Sequence, residues 1–98
     1  MHALSIPTWW IHLASVLEWS WAIVLAWQYG ARVPGWRAIA YGMLPALASA
    51  LCACTWHFFD NAPALNWLVS LQAVLTVGGN TTLAWGAYIL WRERTKPC

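Results

Sequence analysis

The stretch TWWIHLASVLEWSWAIVLAWQY, residues 8–29, decides the fold. It is long enough to cross a hydrocarbon core of roughly 30 Å as a helix. Its single ionisable carboxylate, Glu18, falls near the middle. A charge at such a depth is costly, by roughly 2.5–3.5 kcal/mol for Asp, Lys or Arg on insertion scales. Glu18 is therefore expected to be neutralised, paired, or turned toward a protein interior or a water-filled cavity.

Outward from this stretch the punctuation is regular. Pro7 suits a first helical turn and Gly30 a stop. Residues 31–35, ending Pro34-Gly35, form a short turn, and a second apolar stretch runs over about 36–59. Asp60-Asn61-Ala62-Pro63 is the next connection, with Asn61 as a cap for the third helix. A third stretch covers about 64–91, roughly 42 Å as a helix, so it tilts or projects into the interface. The expected fold is all-α: an integral membrane bundle of three transmembrane helices, one domain over residues 1–98. Pro45 lacks an N–H and its ring clashes with the Tyr41 carbonyl, which predicts a kink in the second helix.

Composition agrees. Of 98 residues, 61% are hydrophobic and 8% charged, against roughly 25% charged in soluble domains. A soluble domain of this size buries only about 60–65% of its unfolded surface, so the excess is expected to face lipid. The net charge of +2 is too small and scattered for nucleic-acid binding. Cysteines at 52, 54 and 98 are odd in number and give no disulfide framework. Cys52 and Cys54 point about 200° apart on a helix, which disfavours shared ligation. No basic segment precedes the first apolar stretch, so that stretch is expected to remain as a span.

Arg32 and Arg37 lie in the first connection, and Arg92, Arg94 and Lys96 in the tail. Three spans put all five on one side, so the carboxyl terminus is expected to be cytoplasmic or stromal and the amino terminus lumenal or periplasmic. Trp9, Trp10, Trp56 and Trp67 mark the outer interface, and Trp27, Trp36 and Trp91 the inner one. Trp19 and Trp21 sit beside Glu18 at mid-depth, where they either pack on neighbours or meet a flat ligand. Small residues recur every fourth position at Ala38, Gly42, Ala46, Ala50 and Cys54, and again at Gly78, Thr82 and Gly86. Such stripes predict a seam between the second and third helices.

Depth matching defines the candidate sites. His12 and His57 each lie about one turn from the outer end, with Asp60 one turn beyond His57 and His2 able to fold over the same end. His57 and Asp60 could share a metal, and the two imidazoles could ligate haem or chlorophyll. The plainer alternative has His57 bonded to Asp60 or to a carbonyl and His12 at the interface. Deeper, Glu18 and Gln72 match in depth, with Ser15 nearby; Asn80, Thr81 and Thr82 could bond carbonyls freed at Pro45. These groups either form a proton or cofactor site or lock the helices together. No serine–histidine–acid set, phosphate-cradling glycine loop or carboxylate pair is present, so an enzyme is not expected.

The segments His2–Trp9, Gly42–Leu47 and Ser49–Asn61, the last containing Cys-Ala-Cys-Thr-Trp-His-Phe-Phe-Asp, resemble the family of small membrane proteins called hypothetical chloroplast reading frame forty-nine. Leu71-Gln72-Ala73 and Gly79-Asn80 extend the likeness through the third stretch. That family occurs in cyanobacteria and plastids and carries a domain of unknown function. The resemblance implies a thylakoid or plasma membrane, and no activity or catalytic residues. The leading expectation is a non-enzymatic accessory subunit or assembly factor of a larger photosynthetic complex. A pigment, haem or metal carrier using His12 and His57 comes next. A small proton-coupled transport element centred on Glu18, in need of a homo-oligomer, comes last.

Overall fold

The computed structural model describes residues 3–95; the candidate residues His2, Lys96 and Cys98 lie outside them. Three long helices follow in order: α1 (Ile6–Tyr29), α2 (Gly35–Phe58) and α3 (Trp67–Thr95), with a 3-10 turn at Pro63–Leu65 ahead of the last. Ser5 starts α1, its hydroxyl accepting the Thr8 N–H at 3.3 Å, and Pro7 sits in the first turn. Gly30 ends α1 at φ −61°, an ordinary right-handed value. What it supplies is room, because a Cβ there would run into the Arg37 side chain. Arg37 in turn covers the Trp27 ring, 4.5 Å from its centroid, and Trp27 meets Tyr41 edge-on at 5.3 Å. These stacked groups close the first turn.

The expected bundle is a layer. The backbone measures 56 × 24 × 15 Å, α2 lies in the centre, and α1 and α3 flank it while scarcely touching each other. The α2–α3 pair is much the closer. A Cβ on Gly42 would approach the Thr82 carbonyl oxygen to 2.6 Å, and one on Gly86 the Ala38 oxygen to 2.6 Å. Helix backbones meet there with no side chain between them. In a medium that gives no hydrophobic drive for association, such contact and interhelical hydrogen bonds hold helices together.

Three expectations need correction. The kink predicted at Pro45 is not in the second helix: α2 continues unbroken through it, and the interruption lies in the third segment, at the 3-10 turn. Carbonyls next to the proline gain outside donors, Thr82 Oγ1 to Gly42 O at 2.8 Å and Trp19 Nε1 to Met43 O at 3.0 Å. These bonds, with the close Gly42–Thr82 and Ala46–Gly79 backbone contacts on either side of Pro45, pin α2 against its neighbours along the stretch where a bend is expected. Second, Asn61 does not cap the third helix. It stands at φ 55° after Asp60 at φ 57°, and its side chain is turned back to His57. Third, of the three expected spans only α1 and α2, among the described residues, are long and apolar enough to cross a membrane. Gln72, Thr76 and the Asn80–Thr82 run break the apolar character of α3, which itself continues as one helix.

The seam yields a contrast. Gly86→Leu and Gly42→Leu should each lower stability in detergent by at least the 1–3 kcal/mol typical of overpacking. Gly78→Ala, whose added Cβ meets open space, should raise it by about 0.5–1 kcal/mol. Denaturing-detergent titrations followed by circular dichroism compare the three.

Candidate functional site

The end of the layer at the start of α1 brings together the two imidazoles that depth matching anticipates, within a cluster of aromatic rings. His12 of α1 and His57 of α2 meet edge to face, ring centroids 5.5 Å apart and planes at 89°. Trp9 stands 6.5 Å from His12 and Trp56 stands 5.6 Å from His57. The Nδ1–H of His12 donates to the Thr8 carbonyl at 2.9 Å, and that of His57 to Asn61 Oδ1 at 2.7 Å. Each ring is thereby oriented, and a ligand would have to approach through Nε2. Trp56 Nε1 donates to the Ala62 carbonyl at 3.1 Å and ties α2 to the following loop.

Two imidazoles in edge contact do not face each other across a macrocycle, so a haem or chlorophyll clamped between them does not suit this geometry. A hollow of about 460 Å³ lined by Ile6, Trp9, Trp10, Leu13 and Phe58 adjoins the cluster, and Trp9 Nε1 is buried with no hydrogen-bond partner among the described residues. Asp60 lies exposed in the left-handed turn. Among the described residues no group of three or more His, Cys, Asp and Glu side chains gathers to hold a metal ion.

The mid-depth polar groups separate. Glu18 is exposed on α1 and is not joined to Gln72, because α1 and α3 lie on opposite flanks of α2. Ser15 is exposed beside it. The Gln72 carbonyl, rather than its side chain, is used: it accepts from Ser49 Oγ at 2.9 Å and from Thr76 Oγ1 at 2.8 Å, and the two hydroxyls lie 2.7 Å apart. Thr82 reaches α2, whereas Thr81 bonds back to Val77 O and Asn80 is exposed. Along the seam, Gly42, Ala46 and Gly86 touch the partner helix, Ala50 is half-buried, and Gly78 looks outward. Gly79 takes the place expected of Gly78, its Cβ position 2.9 Å from Ala46 N.

Sequence reasoning missed Ser49, buried on the seam, and the donor role of Trp19. A serine among the small residues of α2 was the available signal for the first. Trp19 packs against α2, the first of the two alternatives open to it, and Trp21 is exposed.

Comparison with known proteins places these features in a family. The model of the family described as "Protein of unknown function (DUF2499)" matches residues 3–89. A Ycf49-like protein of Synechocystis is 56% identical over 99 residues, covering 99% of this chain and 95% of its own length. The uncharacterized protein ycf49 of Cyanophora paradoxa is 37% identical over 98 residues, covering 98% and 96%. No solved structure matches the chain.

The two interhelical donors make separable predictions. Trp19→Phe should weaken docking of α1 by about 1 kcal/mol while leaving the α2–α3 pair intact. Ser49→Ala should weaken the α2–α3 pair by a similar amount. Proximity cross-links placed across each helix pair during detergent titration distinguish the effects.

Proposed function

The chain belongs to the family described as "Protein of unknown function (DUF2499)", and we propose that it is a non-enzymatic integral membrane protein of a thylakoid or plasma membrane. In this reading it serves as an accessory subunit or assembly factor of a larger photosynthetic complex. On the same reading α3, antiparallel along α2 from Ala46–Gly79 to Ala38–Gly86, crosses back beside it, so the carboxyl terminus and the Arg32 turn both face the cytoplasm or stroma. Support for the membrane comes from α1 and α2, and from Trp10, Trp21, Trp67, Trp85 and Trp91, each more than half exposed. Arg32 and Arg94 lie at one end of the layer, as the positive-inside rule asks of them.

One observation carries the accessory role. Glu18 sits exposed midway along a helix able to span, and no other helix of the chain covers its face. A polar carboxyl group in that place is costly against lipid and inexpensive against a partner helix that bonds it. The open side of α1 is then where the larger complex docks. Gentle solubilisation followed by native electrophoresis should find the protein co-migrating with a larger assembly. Glu18→Leu should cut that fraction about fivefold or more, as expected for loss of 1–2 kcal/mol, and Glu18→Gln should cut it less. Recovery of the free protein alone under every mild condition would end this reading.

The His12–His57 contact, with Nδ1 of each ring engaged and Nε2 left for a ligand, favours a second reading, a carrier of haem or chlorophyll through one axial imidazole. Purified protein would then show a Soret or red absorption band, abolished by His57→Ala or His12→Ala. A featureless visible spectrum of native-purified material would remove it.

A further inference from the structure

Because α1 and α3 flank α2 without packing on each other, a groove of about 680 Å³ opens over α2 at the arginine-bearing end. Arg32, from the first turn, and Arg94, from the end of α3, both line it. No acidic side chain does; the Glu93 carboxylate instead lies against Gly35 on the α2–α3 seam. Trp36 and Tyr29 meet edge-on at 5.6 Å within the groove, and Trp36 Nε1 is buried with no hydrogen-bond partner among the described residues. Farther from the arginines the walls become apolar, with Leu25, Ile39 and Met43.

We propose that this groove binds an anionic two-chain phospholipid, its phosphate between Arg32 and Arg94 and one acyl chain along Leu25, Ile39 and Met43. Two guanidinium groups lining one hollow make it electropositive, and an anion held there is attracted to both. Planar guanidinium forks suit phosphate oxygens. The apolar inner half decides between a lipid and free phosphate, since only the lipid has chains to fill it. Basic pockets between helices on the cytoplasmic side are suited to anionic headgroups. The groove ends at Ala22, one turn short of Glu18 on the same face of α1, so lipid and a docked partner occupy different levels. This inference rests on the membrane reading given above.

The test uses the full chain in mild detergent with equimolar phosphatidylglycerol and phosphatidylcholine, followed by native mass spectrometry. Wild type should retain one phosphatidylglycerol, at least tenfold over phosphatidylcholine. Arg32→Gln with Arg94→Gln should lower retention at least fivefold. Arg92→Gln removes a charge from a group stacked on Tyr88 outside the groove, and should change it less than twofold. A loss with Arg92→Gln equal to that of the groove pair, no headgroup preference, or displacement by millimolar inorganic phosphate would overturn the proposal. A diazirine-bearing phosphatidylglycerol needs no variant. Its adducts should map to Leu25, Ile39 or Met43, and adducts confined to other faces would overturn the site. A chain that stays dissolved without detergent defeats the membrane reading and this inference together. A detergent-requiring chain that fails the lipid tests defeats this inference alone.

Discussion

The contact between the backbones of α2 and α3 is the constraint on which everything else depends. At Gly42 and Gly86 the carbonyl of the opposite helix occupies space that any side chain would need. Such proximity turns many weak dispersion contacts into one extended interface. It also brings the Thr82 and Ser49 hydroxyls within reach of carbonyls on the facing helix. Once the pair is this close, α2 has one flank left, and α1 takes it by side chains: Trp19 at mid-depth, the Arg37–Trp27–Tyr41 stack at one end and the imidazoles at the other. The layered shape is the result, and with it both the exposure of Glu18 and the arginine-lined groove.

Depth was legible in the sequence; rotation was not. Helix number, the short turns and the meeting of His12 with His57 depend on position along the axis, which residue counting supplies. Which of two adjacent glycines faces the neighbour depends on rotation, since Gly78 and Gly79 lie about 100° apart. Only the packed pair selects Gly79. The pairing of Glu18 with Gln72 failed for the same reason, at matching depth but on the wrong flanks. The unbroken run of α2 through Pro45 was not legible because it depends on residues distant in sequence that hold that stretch, Thr82, Gly79 and Trp19.

The polar groups thus divide by duty. Ser49, Thr76, Thr82 and Trp19 are consumed by internal bonds and explain themselves. Glu18 and the two groove arginines are not explained by cohesion, and each lies where a second molecule has access. The family match to proteins of unknown function leaves their role to be read from the residues themselves.

The loop between α2 and α3 places two successive non-glycine residues, Asp60 and Asn61, in left-handed backbone, a conformation costing roughly 1–2 kcal/mol per residue. Bonds from Asn61 N to Trp56 O at 2.9 Å and from Trp56 Nε1 to Ala62 O at 3.1 Å hold it there. The linkage therefore behaves as a gear tooth rather than a tether. A residue gained or lost between Asn61 and Trp67 that was taken up by the start of α3 would turn it by about 100°, carrying Gly79 and Gly86 out of mesh together. Length in this short connection is as much a part of the interface as the glycines are.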